Sequence, residues 1–162
     1  MKRVVHVRVA LALILALPMA VLAQQYEGVA VKSGQATATF GGKNLTFTHG
    51  EGGLQQVSGF TMATLVFRPD AKSKANTHLN ITLMYQAPGK VDLDSRYSMS
   101  GIGMFMDGDV AAFTKGKSKC TITLTKATPT EVEGTAECPL LHNIEGKVMP
   151  ALTVQKFSAT VK

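Results

Sequence analysis

The sequence predicts an all-β protein, a single-domain antiparallel β-sandwich or flattened β-barrel of about 8–10 short strands, preceded by a cleavable signal peptide. Three observations support this prediction. Apolar and polar residues alternate with period two along most of the chain, turn signals recur every 8–12 residues or so, and no amphipathic helical pattern lies between them. Because parallel sheets need crossover connections, usually helical, the pattern favours antiparallel pairing.

The N-terminal segment, residues 1–23, has the layout of a secretory signal peptide. Lys2, Arg3 and Arg8 precede an apolar run over positions 9–23 that ends in Val-Leu-Ala. The run is shorter than the roughly 20 residues of a spanning helix, and Pro18 interrupts it. We therefore expect cleavage after Ala23, one domain over residues 24–162, no membrane span after cleavage, and a secreted or periplasmic location.

The charge of the chain argues against a nucleic-acid partner. The 162 residues include 17 basic and 11 acidic side chains, for a net charge of +6. Three of the basic residues and none of the acidic ones lie in residues 1–23, so the mature chain carries only +3. A small net charge of this kind serves solubility and is weak evidence for binding to a polyanion.

The Gly41-Gly42 pair predicts a β-hairpin. Two glycines supply the positive φ angles of a type I′ turn. That turn places Phe40 opposite Lys43 and two small residues opposite larger apolar ones, namely Ala38 opposite Leu45 and Ala36 opposite Phe47. The apolar side chains then share one face, so turn chemistry and pattern agree.

Two further local predictions concern a second hairpin and a bulge. Asp107-Gly108 predicts a tight turn that sets Phe105 opposite Val110, although both flanking segments are apolar on both faces. In residues 151–161 the apolar phase shifts from even to odd positions, which predicts a β-bulge near Gln155-Lys156.

The two cysteines, Cys120 and Cys138, lie in two alternating segments. Setting them opposite each other in an antiparallel hairpin also sets Ile122 opposite Ala136, Leu124 opposite Gly134, and Lys126 opposite Val132. One register thus satisfies two independent constraints. Opposed residues lie within reach of a disulfide, and an exported chain meets an oxidising compartment. We predict a Cys120–Cys138 bridge.

Catalytic and metal motifs are weak in this sequence. His49, His78 and His142 form no metal-spaced pair, and no serine has an evident histidine partner. We therefore expect no enzyme, no cofactor and no metal site. A cluster of Met99, Met104 and Met106 leaves a Cu(I) carrier as a less favoured alternative, since thioethers are soft ligands but also fill cores.

The sequence contains two N-glycosylation sequons. Asn44-Leu45-Thr46 and Asn80-Ile81-Thr82 match the glycosylation acceptor, which matters only in a eukaryotic host, where Asn80 would point to solvent.

The leading expectation is a non-catalytic binding or structural module of the cell envelope or extracellular space, whose partner would be a protein or a small apolar ligand. The alternative is a lipocalin-like carrier with an interior pocket lined by Phe47, Phe67, Leu83, Tyr85, Phe105 and Phe113.

Overall fold

The computed structural model describes residues 28–72, 77–91, 93, 99–106, 111–114 and 118–161. Within these residues the protein is all-β. The predicted signal peptide, residues 1–23, lies outside them.

Thirteen strands form in the described part of the chain. This is more than the predicted 8–10, because the structure adds four short strands of two or three residues, β1, β7, β9 and β12, to nine of five or more. The bounds are β1 (Val29–Ala30), β2 (Ser33–Phe40), β3 (Lys43–Phe47), β4 (His49–Val57), β5 (Phe60–Arg68), β6 (His78–Tyr85), β7 (Gly89–Val91), β8 (Gly101–Phe105), β9 (Ala111–Phe113), β10 (Lys119–Ala127), β11 (Glu131–His142), β12 (Val148–Met149) and β13 (Leu152–Thr160).

The strands form two antiparallel sheets that pack together. The first sheet has the order β1-β4-β5-β6-β8-β9, and the second has the order β7-β10-β11-β13-β2-β3. The long strand β11 joins them, because its end pairs with β9 of the first sheet through His142 opposite Phe113. The short strand β12 pairs with the same end of β11, through Leu141 opposite Met149. The predicted all-β, antiparallel architecture is confirmed.

The core lies between the sheets and follows from the period-two pattern. In β5 and β6 every second residue is buried, so Leu65 faces Ile81 and Phe67 faces Leu79 inside the sandwich. Phe157 of the second sheet packs near Phe67, with ring centroids 6.4 Å apart. Alternation therefore sends one side of each strand inward and leaves the other side for solvent or ligands.

The sheets also approach closely where β2 passes β4. A Cβ atom built on Gly34 would lie 2.9 Å from the Cα of Gly50, closer than real Cβ contacts allow. Only glycine permits this contact between backbones. The sandwich is thus joined by hydrogen bonds at β11 and by bare backbone at β2 and β4.

The first predicted hairpin is confirmed in turn and register. Gly41 and Gly42 have φ angles of 56° and 80°, as a type I′ turn requires. β2 pairs with β3 so that Phe40 opposes Lys43, and both predicted apolar pairs, Ala38 with Leu45 and Ala36 with Phe47, form.

The second predicted hairpin forms with a different register. β8 pairs with β9, but Phe105 opposes Ala111 rather than Val110, and the residues of the expected Asp107-Gly108 turn lie outside the described ones. Both strands are apolar on both faces, so the side-chain pattern could not fix the register. The predicted bulge is confirmed, because the pairing of β13 with β2 shifts between Val154 and Lys156.

The predicted disulfide is confirmed, and Cys120 and Cys138 bridge β10 and β11. Ile122 opposes Ala136 and Leu124 opposes Gly134, as predicted. Beyond Leu124 the register shifts, so that Lys126 opposes Glu133 and Ala127 takes the predicted place opposite Val132. This bulge buries Ala127 and leaves Lys126 exposed, where its ammonium group contacts Glu131 at 2.6 Å.

Candidate functional site

A cavity of about 470 Å³ lies on the outer face of the first sheet, over β6 and β8. Its volume falls within the range of small-molecule sites. The lining combines outward-facing strand residues with two neighbouring segments, and comprises Asn80, Thr82, Ser100, Gly101, Ile102, Gly103, Phe105, Thr114 and Ile144.

Strand register creates this recess. On the outer face of β8, Gly101 lies opposite Thr82 and Gly103 lies opposite Asn80, so β8 presents backbone where other strands present side chains. Gly101 has an ordinary φ angle, and a Cβ atom added there would meet the Thr114 hydroxyl oxygen at 3.2 Å. The glycine pair thus adds no side chain of its own beside those of β6, and the Thr114 hydroxyl lies next to Gly101.

Two hydroxyl groups hold the edge of the recess in place. The Thr114 hydroxyl accepts the backbone N–H of Ile102 at 3.1 Å, and the Ser100 hydroxyl accepts the backbone N–H of Met84 at 2.9 Å. These bonds continue the ladder at positions where strand pairing stops. Ser100 and Thr114 are therefore tied to the backbone of β6 and β8 at the edge of the cavity.

Asn80 carries the one buried side-chain oxygen or nitrogen in the described residues that lacks a hydrogen-bond partner, its Oδ1. Buried polar atoms in native proteins are nearly always paired, and an unpaired one costs about 1–3 kcal/mol. The sequence suggested that Asn80 points to solvent. It does project from the outer face, but the neighbouring lining covers its carbonyl oxygen.

The walls of the cavity are apolar. Phe105 stacks on His78, with ring centroids 4.3 Å apart and planes 9° from parallel. Ile144 also lines the cavity, and its large aliphatic side chain is 85% exposed. Among the described residues, no charged side chain belongs to the lining. Arg68 of β5 and Glu51 of β4 form an ion pair with each other at 2.7 Å.

A second, smaller cavity of about 270 Å³ lies where β2 passes β4. Its lining is polar and includes Lys32, His49 and the hydroxyls of Ser33 and Thr160, which hydrogen-bond to each other at 2.7 Å. Its described polar side chains leave no buried atom unpaired.

The six residues predicted to line an interior pocket do not all lie in one place. Phe47, Phe67, Leu83 and Tyr85 lie together in the core and are at most 5% exposed. Phe105 lies on the outer face and lines the cavity over β8. The Phe113 side chain lies outside the described part of the structure, and the role of the inner four as a ligand lining stays a prediction.

The methionine cluster spans three environments. Met104 is fully buried in the core, Met106 is half-buried, and Met99 is 59% exposed. Across residues 28–161, omitting those not described, no group of three or more His, Cys, Asp and Glu side chains is placed to hold a metal ion. His142 contacts the Ser118 hydroxyl through Nδ1 at 3.1 Å.

Sequence reasoning missed Asn80, Gly101, Gly103 and Ile144 as site residues. The available signal was the Gly-Ile-Gly segment, which puts two glycines on one face of a strand. Its importance depends on which strand lies opposite, and that is a property of the tertiary fold.

No known protein family, curated protein or solved structure matches this chain. In the described segments there is no helix with the length and apolar character needed to cross a bilayer. The disulfide is typical of an oxidising, extracytoplasmic compartment.

Proposed function

We propose that this chain is a non-catalytic binding protein of the cell envelope or extracellular space that holds a small, neutral, largely apolar ligand in the cavity over β6 and β8. The observation that carries the proposal is the buried, unpaired Oδ1 of Asn80 in a recess of about 470 Å³. A bound molecule that donates a hydrogen bond would satisfy this oxygen and cover Ile144 at the same time.

The lining supports binding rather than catalysis. Acid–base or nucleophilic chemistry needs a titratable or activated group facing the reacting atoms. The described lining offers one amide and three hydroxyls, and the Ser100 and Thr114 hydroxyls already accept backbone N–H groups. The signal-like residues 1–23 and the disulfide support the secreted or periplasmic location.

The test uses N-phenyl-1-naphthylamine, a neutral aromatic amine whose fluorescence rises in apolar surroundings. The oxidised protein should bind the dye saturably. Gly101→Val adds a side chain to the recess at a residue with an ordinary φ angle, although its Cβ would meet the Thr114 hydroxyl at 3.2 Å, and it should weaken dye binding by at least roughly tenfold.

The matched control is Gly28→Val at the exposed start of the described chain, where an added Cβ meets only ordinary contacts. This variant should bind the dye like the wild type. Absence of saturable binding by the wild type, or equal binding by the Gly101→Val variant, would refute the proposed site.

A further inference from the structure

We infer that the ligand is a planar aromatic molecule that carries a neutral N–H or O–H donor, directed at the Oδ1 of Asn80. This inference rests on the proposed function and specifies the chemical class that the same cavity takes. Three features of the described lining lead to it. They are a carbonyl oxygen that lacks a hydrogen-bond donor, two glycines on one face of β8, and the absence of charged side chains.

The acceptor selects for a donor. A carbonyl oxygen can only accept hydrogen bonds, and Asn80 Oδ1 has no partner in the described structure. A ligand without a donor would leave this oxygen buried and unpaired in the complex as well. Sites that hydrogen-bond a ligand group discriminate strongly against the analogue that lacks it.

The glycine pair selects for a flat molecule. Gly101 and Gly103 are alternate residues of β8 on the same face, and both line the recess without contributing a side chain. Phe105 forms one wall and is held in place by its stacking on His78. A planar ring can lie over the two glycines with its edge against Phe105, whereas a puckered ring of equal size makes fewer contacts.

The walls select for a neutral molecule. No Lys, Arg, Asp or Glu belongs to the described lining. Of the described charged residues of β4 and β5, Arg68 and Glu51 are already bonded to each other. An ionised ligand would lose hydration without gaining a counter-charge.

Matched probes separate these three requirements. The reference probe is 2-naphthol, which is planar, neutral at pH 7 and carries one O–H donor. Replacing its donor gives 2-methoxynaphthalene, removing its planarity gives decahydro-2-naphthol, and replacing its neutral donor by a charged group gives 2-naphthoate. Dissociation constants are measured by calorimetry or by displacement of N-phenyl-1-naphthylamine.

We expect 2-naphthol to bind at least roughly tenfold more tightly than each of the other three probes. In Asn80→Leu the preference for 2-naphthol over 2-methoxynaphthalene should disappear. Asn44→Leu, the same substitution at an exposed site on β3, should keep it. Asn80→Thr serves as a second variant, because threonine suits a strand and still removes the amide oxygen.

Equal wild-type affinity for 2-naphthol and 2-methoxynaphthalene would overturn the donor inference, while saturable dye binding would still support the proposed function. If decahydro-2-naphthol binds as tightly as 2-naphthol or more tightly, the ligand need not be planar. If 2-naphthoate does so, the ligand need not be neutral. If neither the dye nor any probe binds, the proposed function itself fails. The wild-type comparisons need no variant, so the inference can be refuted even if a substitution prevents folding.

Discussion

The two faces of β6 differ in how completely their polar groups are satisfied. The inner face carries Leu79, Ile81 and Leu83, all fully buried, and ends at Tyr85, whose hydroxyl donates to the Thr128 carbonyl at 3.0 Å. The outer face carries Asn80, whose buried Oδ1 has no partner. On the inner face the Tyr85 hydroxyl has a hydrogen-bond partner, and on the outer face the Oδ1 of Asn80 has none.

Under the proposed function, the inner side of the first sheet serves stability and the outer side serves binding. Groups that stabilise the fold find partners within the chain, because an unpaired buried group reduces stability. A group kept unpaired in a recess gains its partner only from another molecule. Substitutions on the inner side and its supports should therefore destabilise the protein, and substitution of Asn80 should not.

The largest effect on stability is expected at the disulfide between β10 and β11, in the second sheet. Cys120→Ala and Cys138→Ala should each lower the free energy of unfolding by about 3 kcal/mol, because either change opens a ring with a sequence separation of 18. The double variant should match the single ones, since the cysteines act as one unit. Urea unfolding measures this, and reduction of the wild type should give the same loss.

The next effect concerns Tyr85 and pH. Burial raises the pKa of Tyr85 to about 12, and its hydrogen bond with Thr61 acts in the opposite direction. The folded protein therefore keeps the phenol proton at pH values where the unfolded chain, with a tyrosine pKa of about 10, loses it. The corresponding stability is present below pH 10 and is lost as the pH rises toward 12, by about 2–3 kcal/mol in total.

Tyr85→Phe tests this linkage. The variant lacks the ionisable group, so its stability should fall less steeply above pH 10 than that of the wild type. Parallel stability curves for the two proteins between pH 8 and 11.5, measured by urea unfolding, would contradict the link between burial and the raised pKa.

A smaller effect on stability is expected at the Gly41-Gly42 turn between β2 and β3. Gly41→Val and Gly42→Val should each destabilise by more than about 1 kcal/mol, because both residues have positive φ angles. Gly41→Val should cost more, since its Cβ would meet Pro150 at 3.1 Å whereas that of Gly42 meets nothing. Gly42→Asn, which tolerates the left-handed region, is the control and should be nearly neutral by thermal unfolding.

The smallest change, and the one of opposite sign, is expected at Asn80. Asn80→Leu removes an unpaired buried oxygen and should raise the free energy of unfolding of the unliganded protein by about 1 kcal/mol. Asn44→Leu, which removes the bond that Asn44 Oδ1 accepts from Thr39, should show no such gain. A loss of stability in Asn80→Leu would mean that this amide serves the fold, and the contrast between the two faces of β6 would collapse.

Much of the fold was predictable because its information is local. The Gly41-Gly42 turn, the register that joins Cys120 to Cys138, and the bulge in β13 all follow from alternation and turn chemistry within short segments. The register of β8 with β9 was not predictable, because a strand that is apolar on both faces fits its partner equally well after a shift of one residue.

The candidate site was not predictable for a different reason. Its two glycines come from β8, its acceptor from β6 and part of its lining from Ile144, and only the assembled sheet brings them together. Asn80 looks like an ordinary outward residue of an alternating strand. The absence of a partner for its oxygen is a property of all its neighbours at once, which no single segment encodes.

The pairing of β2 with β13 has a consequence for how the protein reaches this structure. Ser33 and Thr160 lie side by side, although 127 positions separate them along the chain. The second sheet therefore cannot close until nearly the whole polypeptide is available, whereas β4, β5 and β6 form a meander from neighbouring segments. Because the entropy of closing a long loop is lost before its contacts are gained, the second sheet should complete folding last, on the slow timescale of non-local β topologies.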